Sequence, residues 1–498
     1  MKLSELADLA EIRGDAELSG IASDNRKIAP GDLFAAVPGE HVHGARFAMD
    51  AVQRGAAAVL TDPTGASLVD SGVPLAIADP VAPMIGEASA RIFGHPSAQL
   101  TSFAVTGTNG KTTTTFMIDE ILARLGRTRG LIGTVTLRIA GDDVSAELTT
   151  PQPADLQRLL ARLRDAGGTE LVMEVSSHAL SQGRTDPVRF TVAGFTNLTQ
   201  DHLDFHHTLE DYFAAKATLF EENKSERAVI WTDDPWGARL ADRHPTARWV
   251  GRNPRPGPGW LVSGGQSFTL TEQGGAEQTG EPGGVAGGES SDTRRTFSCH
   301  TDLPGDFNVA NAALAAAMVL AADLEVGEEE LAAALAEISP AVPGRMEVVS
   351  ESPRVVVDFA HNAEALELAI TSLRETCPGR IITVTGSAGD RDRGKRPIMG
   401  RVVAENSDVF YLTDDDPHGE DPAVIRADIA AGVSGPCRLV EIGDRARAIA
   451  AAIAEAGPDD TVFIAGRGHE QVQDMAGTPV ELDDRVEARR ALGEKTDD

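Results

Sequence analysis

The run Phe103-Ala104-Val105-Thr106-Gly107-Thr108-Asn109-Gly110-Lys111-Thr112-Thr113 joins an apolar, strand-like stretch to a helical one through a turn bounded by two glycines. Glycine lets the chain turn tightly, so that successive N–H groups face one point, and the helix that follows adds the positive end of its dipole. This is an anion cradle, and Gly107, Thr108, Asn109, Gly110, Lys111, Thr112 and Thr113 are its candidate ATP-binding residues. Lys111 suits the β- and γ-phosphates, and the Thr112 hydroxyl suits Mg²⁺. The spacing is shorter than the standard phosphate loop, because position 105 is Val and not Gly. The bland alternative is a glycine-rich turn with a surface lysine. A strand, a phosphate-type turn and a helix together predict an α/β fold.

Further along, apolar strand-like runs each end in polar residues. Leu171-Val172-Met173 leads to Glu174-Val175-Ser176-Ser177-His178, which places a carboxylate at the end of a predicted parallel strand, where such sheets bind ligands. Glu174 is a candidate Mg²⁺ ligand, since that ion takes few carboxylates and completes its shell with phosphate oxygens. Asp201-His202-Leu203-Asp204-Phe205-His206-His207 follows another strand, Phe195-Thr196-Asn197-Leu198, but lacks the spacing of a zinc helix and reads alone as a polar loop. In Gly305-Asp306-Phe307-Asn308-Val309-Ala310-Asn311 two asparagines three apart begin a helix. One helix face can offer both carboxamides to an adenine edge, although Asn308 can equally serve as a cap.

The chain has 498 residues, more than one core normally holds, and 41% are hydrophobic. Three α/β segments are expected, covering residues 1–97, 98–338 and 339–498, with His95-Pro96-Ser97 punctuating the first boundary. Ala310 to Leu324 and Arg445 to Ala456 read as helices, and residues 273–293, rich in Gly, Glu and Ser, read as a mobile insertion loop. A formal charge of −31 without a basic cluster argues against nucleic acid as a partner. No apolar run reaches the roughly 18–20 residues of a membrane span, and the first residues lack signal-peptide character, so a cytoplasmic protein is expected. Three scattered cysteines argue against a disulfide framework and a cysteine-based zinc site.

Taken in order, TGTNGKTT, ELTTPQP, MEVSSHAL, NLTQDHLDFH, DYFAAKATLF, LPGDFNVANA, PGRME, VVVDFAHNAEAL, GDRDRGKRP and AGRGHE resemble the Mur ligase family, on the branch that extends UDP-MurNAc-L-Ala-D-Glu. The resemblance spans nearly the whole chain. It implies a UDP-binding domain, a central ATPase-like domain and a Rossmann-like domain that brings in an amino acid. It implies contacts to the UDP-MurNAc-dipeptide from Ser23, Asn25, Glu40, His41, Val42, Thr149, Thr150, Ser176, Gln182 and Arg184. Many relatives carry Ser where Asn25 stands. Lys111, Glu174, His202 and Lys216 match the catalytic set, and Lys216 matches a lysine that relatives carry as a carbamate, which would make Thr112, Glu174, His202 and carbamylated Lys216 metal ligands. Asn308, Asn311, Arg345, Asp358 and His361 match ATP contacts, while Arg391, Asp415, Asp416, Pro417, His418, Gly466 and Glu470 match the amino-acid site.

The implied reaction uses ATP and Mg²⁺. A D-glutamyl side-chain carboxylate becomes an acyl phosphate, an amine attacks its carbonyl, and phosphate leaves; the enzyme is expected to act as a monomer. Diaminopimelate-adding relatives often show Asp-Asn-Pro-Arg where this chain has Asp415-Asp416-Pro417-His418. An extra negative charge and a lost guanidinium favour L-lysine, with meso-diaminopimelate and L-ornithine as alternatives. Two rival readings are a folylpolyglutamate-synthase-like ligase and a non-catalytic ATP-binding protein. The joint presence of TTPQP, MEVSSHAL and GDRDRGKRP opposes the first, and Lys111, Glu174, His202 and Lys216 oppose the second.

Overall fold

Alternation decides the central sheet. Phe103 and Val105 pack into the core on one face, with Met117 and Ile121 of the helix Lys111–Arg124, while Ala104 joins the opposite core with Met173 and Phe195. A strand buried on both faces belongs in the middle of a parallel sheet covered by helices. The computed structural model describes residues 1–39, 41–144, 148–274 and 294–493, and in it Thr101–Thr106 lies between the parallel strands Glu170–Glu174 and Phe190–Phe195.

These strands belong to an 11-stranded sheet. Ser225–Trp231, Arg248–Gly251 and Gly259–Gly264 extend it in parallel, and Ser267–Gln273 and Thr296–His300 then run antiparallel. On the other side Arg129–Ile132 is parallel and is followed by the short antiparallel strands Leu137–Ile139 and Asp142–Val144. The expected insertion loop begins one residue too early, because Gln273 still pairs with Gly259; residues 275–293 lie outside the described residues.

The N-terminal domain holds a 5-stranded sheet from residues 11 to 77, and the C-terminal domain a 6-stranded sheet from 347 to 465. The latter is parallel except for its edge strand Glu347–Glu351, which pairs antiparallel with Arg354–Asp358. A separate hairpin, Val472–Met475 with Thr478–Glu481, follows it. Arg158 ties the central domain to the N-terminal one, donating to Ile21 O at 2.8 Å and to Asp32 Oδ2 at 3.2 Å.

The alanine-rich helix runs Asp306–Ala321, earlier at both ends than the sequence suggests. Gly305, at φ 91°, turns the chain into it, and Asp323, at φ 56°, turns the chain away. Propensity alone overlooked these backbone reversals. The expected helix over 445–456 is found as Arg445–Glu455. Among the described residues no helix is long and apolar enough to cross a membrane.

Candidate active site

The strand Thr101–Thr106 delivers the chain to a loop that only small residues permit. A Cβ on Gly107 would lie 1.8 Å from Thr196 Oγ1, and one on Gly110 would lie 2.3 Å from Asn311 Oδ1. Gly110 also holds φ 84°, which L side chains rarely adopt. Asn197 pins the loop from the next strand end, its backbone carbonyl accepting Thr108 N–H and its side-chain oxygen accepting Asn109 N–H, each at 2.9 Å. The N–H groups of Lys111, Thr112 and Thr113 have no acceptor among the described residues, so the first turn of this helix stays open to an anion. Lys111 Nζ folds back onto Gly107 O (3.1 Å) and Thr108 O (2.9 Å). Burial pushes its pKa down, against the opposing charge of Glu174.

Glu174 ends the neighbouring parallel strand, level with Val105, and is fully buried. Its Oε1 accepts from Thr112 Oγ1 at 3.0 Å and Thr134 N at 2.8 Å, and its Oε2 from Thr134 Oγ1 at 3.1 Å. Thr134 Oγ1 also meets Thr149 Oγ1 at 3.0 Å. Thr150 Oγ1 donates to Glu174 O and accepts from Ser176 N, while Arg184 Nη1 reaches Thr150 O at 3.0 Å and its other nitrogens hold Gln182 Oε1. The structure thus brings Thr149, Thr150, Ser176, Gln182 and Arg184 together beside Glu174.

His202, at φ 55°, opens the short helix Leu203–His206, and its ring lies 4.8 Å from that of His178. Burial, opposed by Asp201 and aided by His178 and Lys216, lowers its pKa to about 3, so its imidazole is neutral at physiological pH. Lys216 is buried in the helix Leu209–Ala217; its Nζ donates to Gly107 O at 2.7 Å and sits 4.5 Å from the Tyr212 ring centroid. Burial, then the charge of Lys111, drives its pKa well below the usual lysine value.

The C-terminal domain closes the other side of a cleft of about 570 Å³. Arg345 lies 4.1 Å over the Phe359 ring and donates to Thr112 Oγ1 at 3.1 Å. Asp358 receives Met346 N at 2.7 Å and Ala360 N at 2.8 Å; burial raises its pKa, offset by Arg345. Asn109 is held from the same domain by Asn362 and Glu364, at 3.1 and 3.0 Å. His361 Nε2 stands 3.4 Å from Asp201 Oδ2. Burial opposes the charge of Asp201, yet His361, then Lys395 and His202, hold its carboxyl well below the usual carboxylate range. Asn308 and Asn311 line the cleft, but their carboxamides are engaged with each other (3.2 Å), and Asn311 also accepts from Thr114 Oγ1.

Sequence reasoning missed Asp201, Thr134, Asn197, Asn362 and Glu364. Asp201 could have been found as the acid preceding His202 after a strand, whereas Thr134 sits in no motif.

The description "Mur ligase middle domain" matches residues 105–319, "Mur ligase, glutamate ligase domain" matches 344–468, and "Mur ligase family, catalytic domain" matches 17–92. A UDP-N-acetylmuramoyl-L-alanyl-D-glutamate–2,6-diaminopimelate ligase of Streptomyces coelicolor is 41% identical, over 98% of this chain and 96% of its own length. The chain belongs to the Mur ligase family. A ligase of the same name from Gloeobacter violaceus is 42% identical, over 97% of this chain and 95% of its own. A solved structure of a ligase so named covers 96% of this chain and 95% of its own, at 29% identity and a TM-score of 0.59. MurF ligase from Thermotoga maritima in complex with ADP shares the fold, with a TM-score of 0.62 at 19% identity over 90% of this chain and 93% of its own.

The remaining sequence-predicted residues of this Mur ligase that the structure describes lie outside the cleft lining. Asp415, Asp416 and Glu470 gather within 4.8 Å of one another, the group of this kind found among the described residues. Arg467, fully buried, serves all three: its Nη1 lies 3.4 Å from Asp415 and 3.6 Å from Glu470 and hydrogen-bonds Asp416. Burial, then Asp415, pushes Glu470 up to about 8. A Cβ on Gly466 would crowd Asp415 Oδ2 at 2.8 Å. Pro417 O abuts Gly389, His418 Nδ1 pairs with Asp474 Oδ2 at 2.9 Å, and Arg391 is exposed. In the N-terminal domain Ser23, His41 and Val42 are exposed and Asn25 Nδ2 donates to Asp50 at 2.7 Å; Glu40 lies outside the described residues.

The donors beside the phosphate loop fit Mg²⁺, which prefers oxygen ligands shared with phosphates. Thr112 and Glu174 would supply oxygens, and neutral His202, which lines the same cleft, would supply a nitrogen. Lys216 would join them with its amine converted to a carbamate, which offers the oxygen ligands that Mg²⁺ prefers.

Proposed function

We propose that this chain joins a diamino acid to the D-glutamyl side-chain carboxylate of UDP-MurNAc-L-Ala-D-Glu, at the expense of ATP. The observation that carries this reading is the open helix N-terminus with Lys111, faced across one cleft by Arg345 and flanked by Glu174. Phosphoryl transfer to a carboxylate brings two anions together, so the protein's task is neutralisation and positioning. The N–H groups of Lys111 to Thr113 and the ammonium of Lys111 suit the phosphates, and Arg345 suits the transferred group from the opposite domain. Thr149, Thr150, Ser176, Gln182 and Arg184 suit the muramoyl-dipeptide. Asn308 and Asn311 suit the adenine, and Asp358 and His361 flank the nucleotide. When bound, Mg²⁺ supplies further charge neutralisation, with Thr112, Glu174, His202 and Lys216 as its holders. Ser23, Asn25, Glu40, His41 and Val42 belong to the proposed uridine site.

A neutral amine is the nucleophile that captures CO₂, forming an N–C bond and releasing a proton, and the depressed pKa of Lys216 supports its carbamylation. Domain limits at 97/98 and 338/339 are supported by sheets that each fall within one of the three segments.

For the amine we propose 2,6-diaminopimelate over the L-lysine expected from sequence, because the relatives from Streptomyces coelicolor and Gloeobacter violaceus carry it in their names. The argument for lysine took Asp416 as a free negative charge. Its carboxylate instead pairs with Arg467 and accepts Asp474 N at 2.9 Å. Arg391, Asp415, Asp416, Pro417, His418, Gly466 and Glu470 form the proposed amino-acid site. The test is ligation of UDP-MurNAc-L-Ala-D-Glu with ATP and Mg²⁺, offering meso-diaminopimelate, L-lysine and L-ornithine separately. No amide with any of the three sinks the reading, and a strong preference for lysine sinks only its choice of amine.

A further inference from the structure

Asp201 belongs to the central domain, yet two basic side chains that face it, His361 and Lys395, belong to the C-terminal one. Only 4% of the residue's surface is exposed. Oδ2 faces His361 Nε2 at 3.4 Å, and Oδ1 faces Lys395 Nζ at 3.7 Å. Within its own domain Oδ1 accepts His202 N–H at 3.0 Å, which fixes the carboxylate's direction. His361 Nδ1 lies 2.8 Å from Phe359 O, a pure acceptor, so that nitrogen carries a proton. That contact orients the ring so that Nε2 faces Asp201 Oδ2 across the domain boundary. Lys395 is buried and has no hydrogen-bond acceptor among the described residues, so Asp201 is its counter-charge. Gln200 Nε2, one residue earlier, reaches Asp392 Oδ2 at 3.0 Å and clamps the same two loops.

The cluster lies between the phosphate loop and the domain that carries the proposed amino-acid site. We propose that Asp201 is a positioning residue that couples phosphoryl transfer to amide formation, holding the C-terminal domain in register through His361 and Lys395. This rests on the ligase reading above. In that reaction the amine attacks the acyl-phosphate carbonyl, a C–N bond forms, the C–O bond to phosphate breaks, and the amine proton leaves to solvent. If the amine site is out of register, water attacks the same carbonyl. A new C–O bond forms, phosphate departs with its bonding pair, and the carboxylate is regenerated with ATP spent and no amide made.

The test is the molar ratio of phosphate released to amide formed, measured on the full chain with UDP-MurNAc-L-Ala-D-Glu, ATP, Mg²⁺ and the preferred diamino acid. Wild type gives a ratio near one. Asp201→Asn keeps the side chain's shape without its charge, and Lys395→Met removes the partner from the other domain. Each is expected to raise the ratio several-fold, and the double variant no further than the worse single one. A merely structural role would lower the rate at an unchanged ratio. A ratio that stays at one in both single variants, or a double variant whose ratio is the product of the two, overturns the proposal. If Asp201→Asn does not fold, the ratio in Lys395→Met decides by itself. Absence of any amide in wild type instead strikes the ligase reading.

Discussion

Arg345 Nη2 hydrogen-bonds Thr112 Oγ1 at 3.1 Å, the same hydroxyl that donates to Glu174 Oε1 at 3.0 Å. One side chain of the C-terminal domain therefore touches the first turn of the phosphate helix, and a buried carboxylate lies one bond further on. Stacking on Phe359 holds the guanidinium plane, so position and charge are set together.

Arg345→Lys should therefore behave as a severe change. Lysine keeps the charge but loses the planar fork and the stack. Loss of one preorganised donor costs about 10²–10³-fold in kcat, and kcat for ADP release should fall within that range. A lysine variant within twofold of wild type would show that charge alone suffices.

Lys216→Met should abolish ligation yet stabilise the fold. Burial depresses the amine's pKa, so the folded state disfavours a proton that the unfolded chain takes up below about pH 10.4. The resulting penalty is absent at higher pH and grows as pH falls from there toward the folded pKa. In CO₂-depleted buffer the Tm of Lys216→Met should exceed that of wild type at pH 8, with a gap that narrows toward pH 10. A gap independent of pH would mean the amine is not the cause.

Much of this was legible because short-range chemistry left marks in the sequence. Gly107, Gly110 and Lys111 announce a phosphate loop by type and spacing, and Glu174 announces itself by ending an apolar strand. Residues whose meaning depends on the opposite domain left no such mark. Asp201 looks like a polar loop residue until His361 and Lys395 arrive from well over a hundred residues away. The same blindness weakened the charge argument at Asp416, whose partner Arg467 lies in a separate loop.

Gly110→Ala should lose nucleotide binding with modest loss of stability. The Cβ would press on Asn311 Oδ1, the far end of a side chain that can shift, but φ 84° remains left-handed. That conformation costs roughly 1–2 kcal/mol for an L side chain, and the easiest escape is to flatten the loop. Titration with ADP and Mg²⁺ should show at least tenfold weaker binding. Unchanged affinity would mean that the open N–H groups of Lys111 to Thr113 tolerate a displaced loop.

Asp416→Asn should shift amine choice toward diaminopimelate. The site holds Asp415, Asp416 and Glu470 around one guanidinium, and Glu470, pushed up to about 8, is largely protonated at pH 7. Removing the Asp416 charge leaves Arg467 less neutralised, which favours a second substrate carboxylate. About 1.4 kcal/mol, or tenfold, is a reasonable size for one charge at this range, so the ratio of kcat/KM for meso-diaminopimelate over L-lysine should rise about tenfold. Raising the pH through 8 works the other way: as Glu470 ionises it attracts the substrate ammonium, and KM for the diamino acid should fall until the amine itself loses its proton. Glu470→Gln should flatten that fall. A KM profile that keeps its slope in Glu470→Gln would assign the ammonium contact to Asp415 and Asp416 alone.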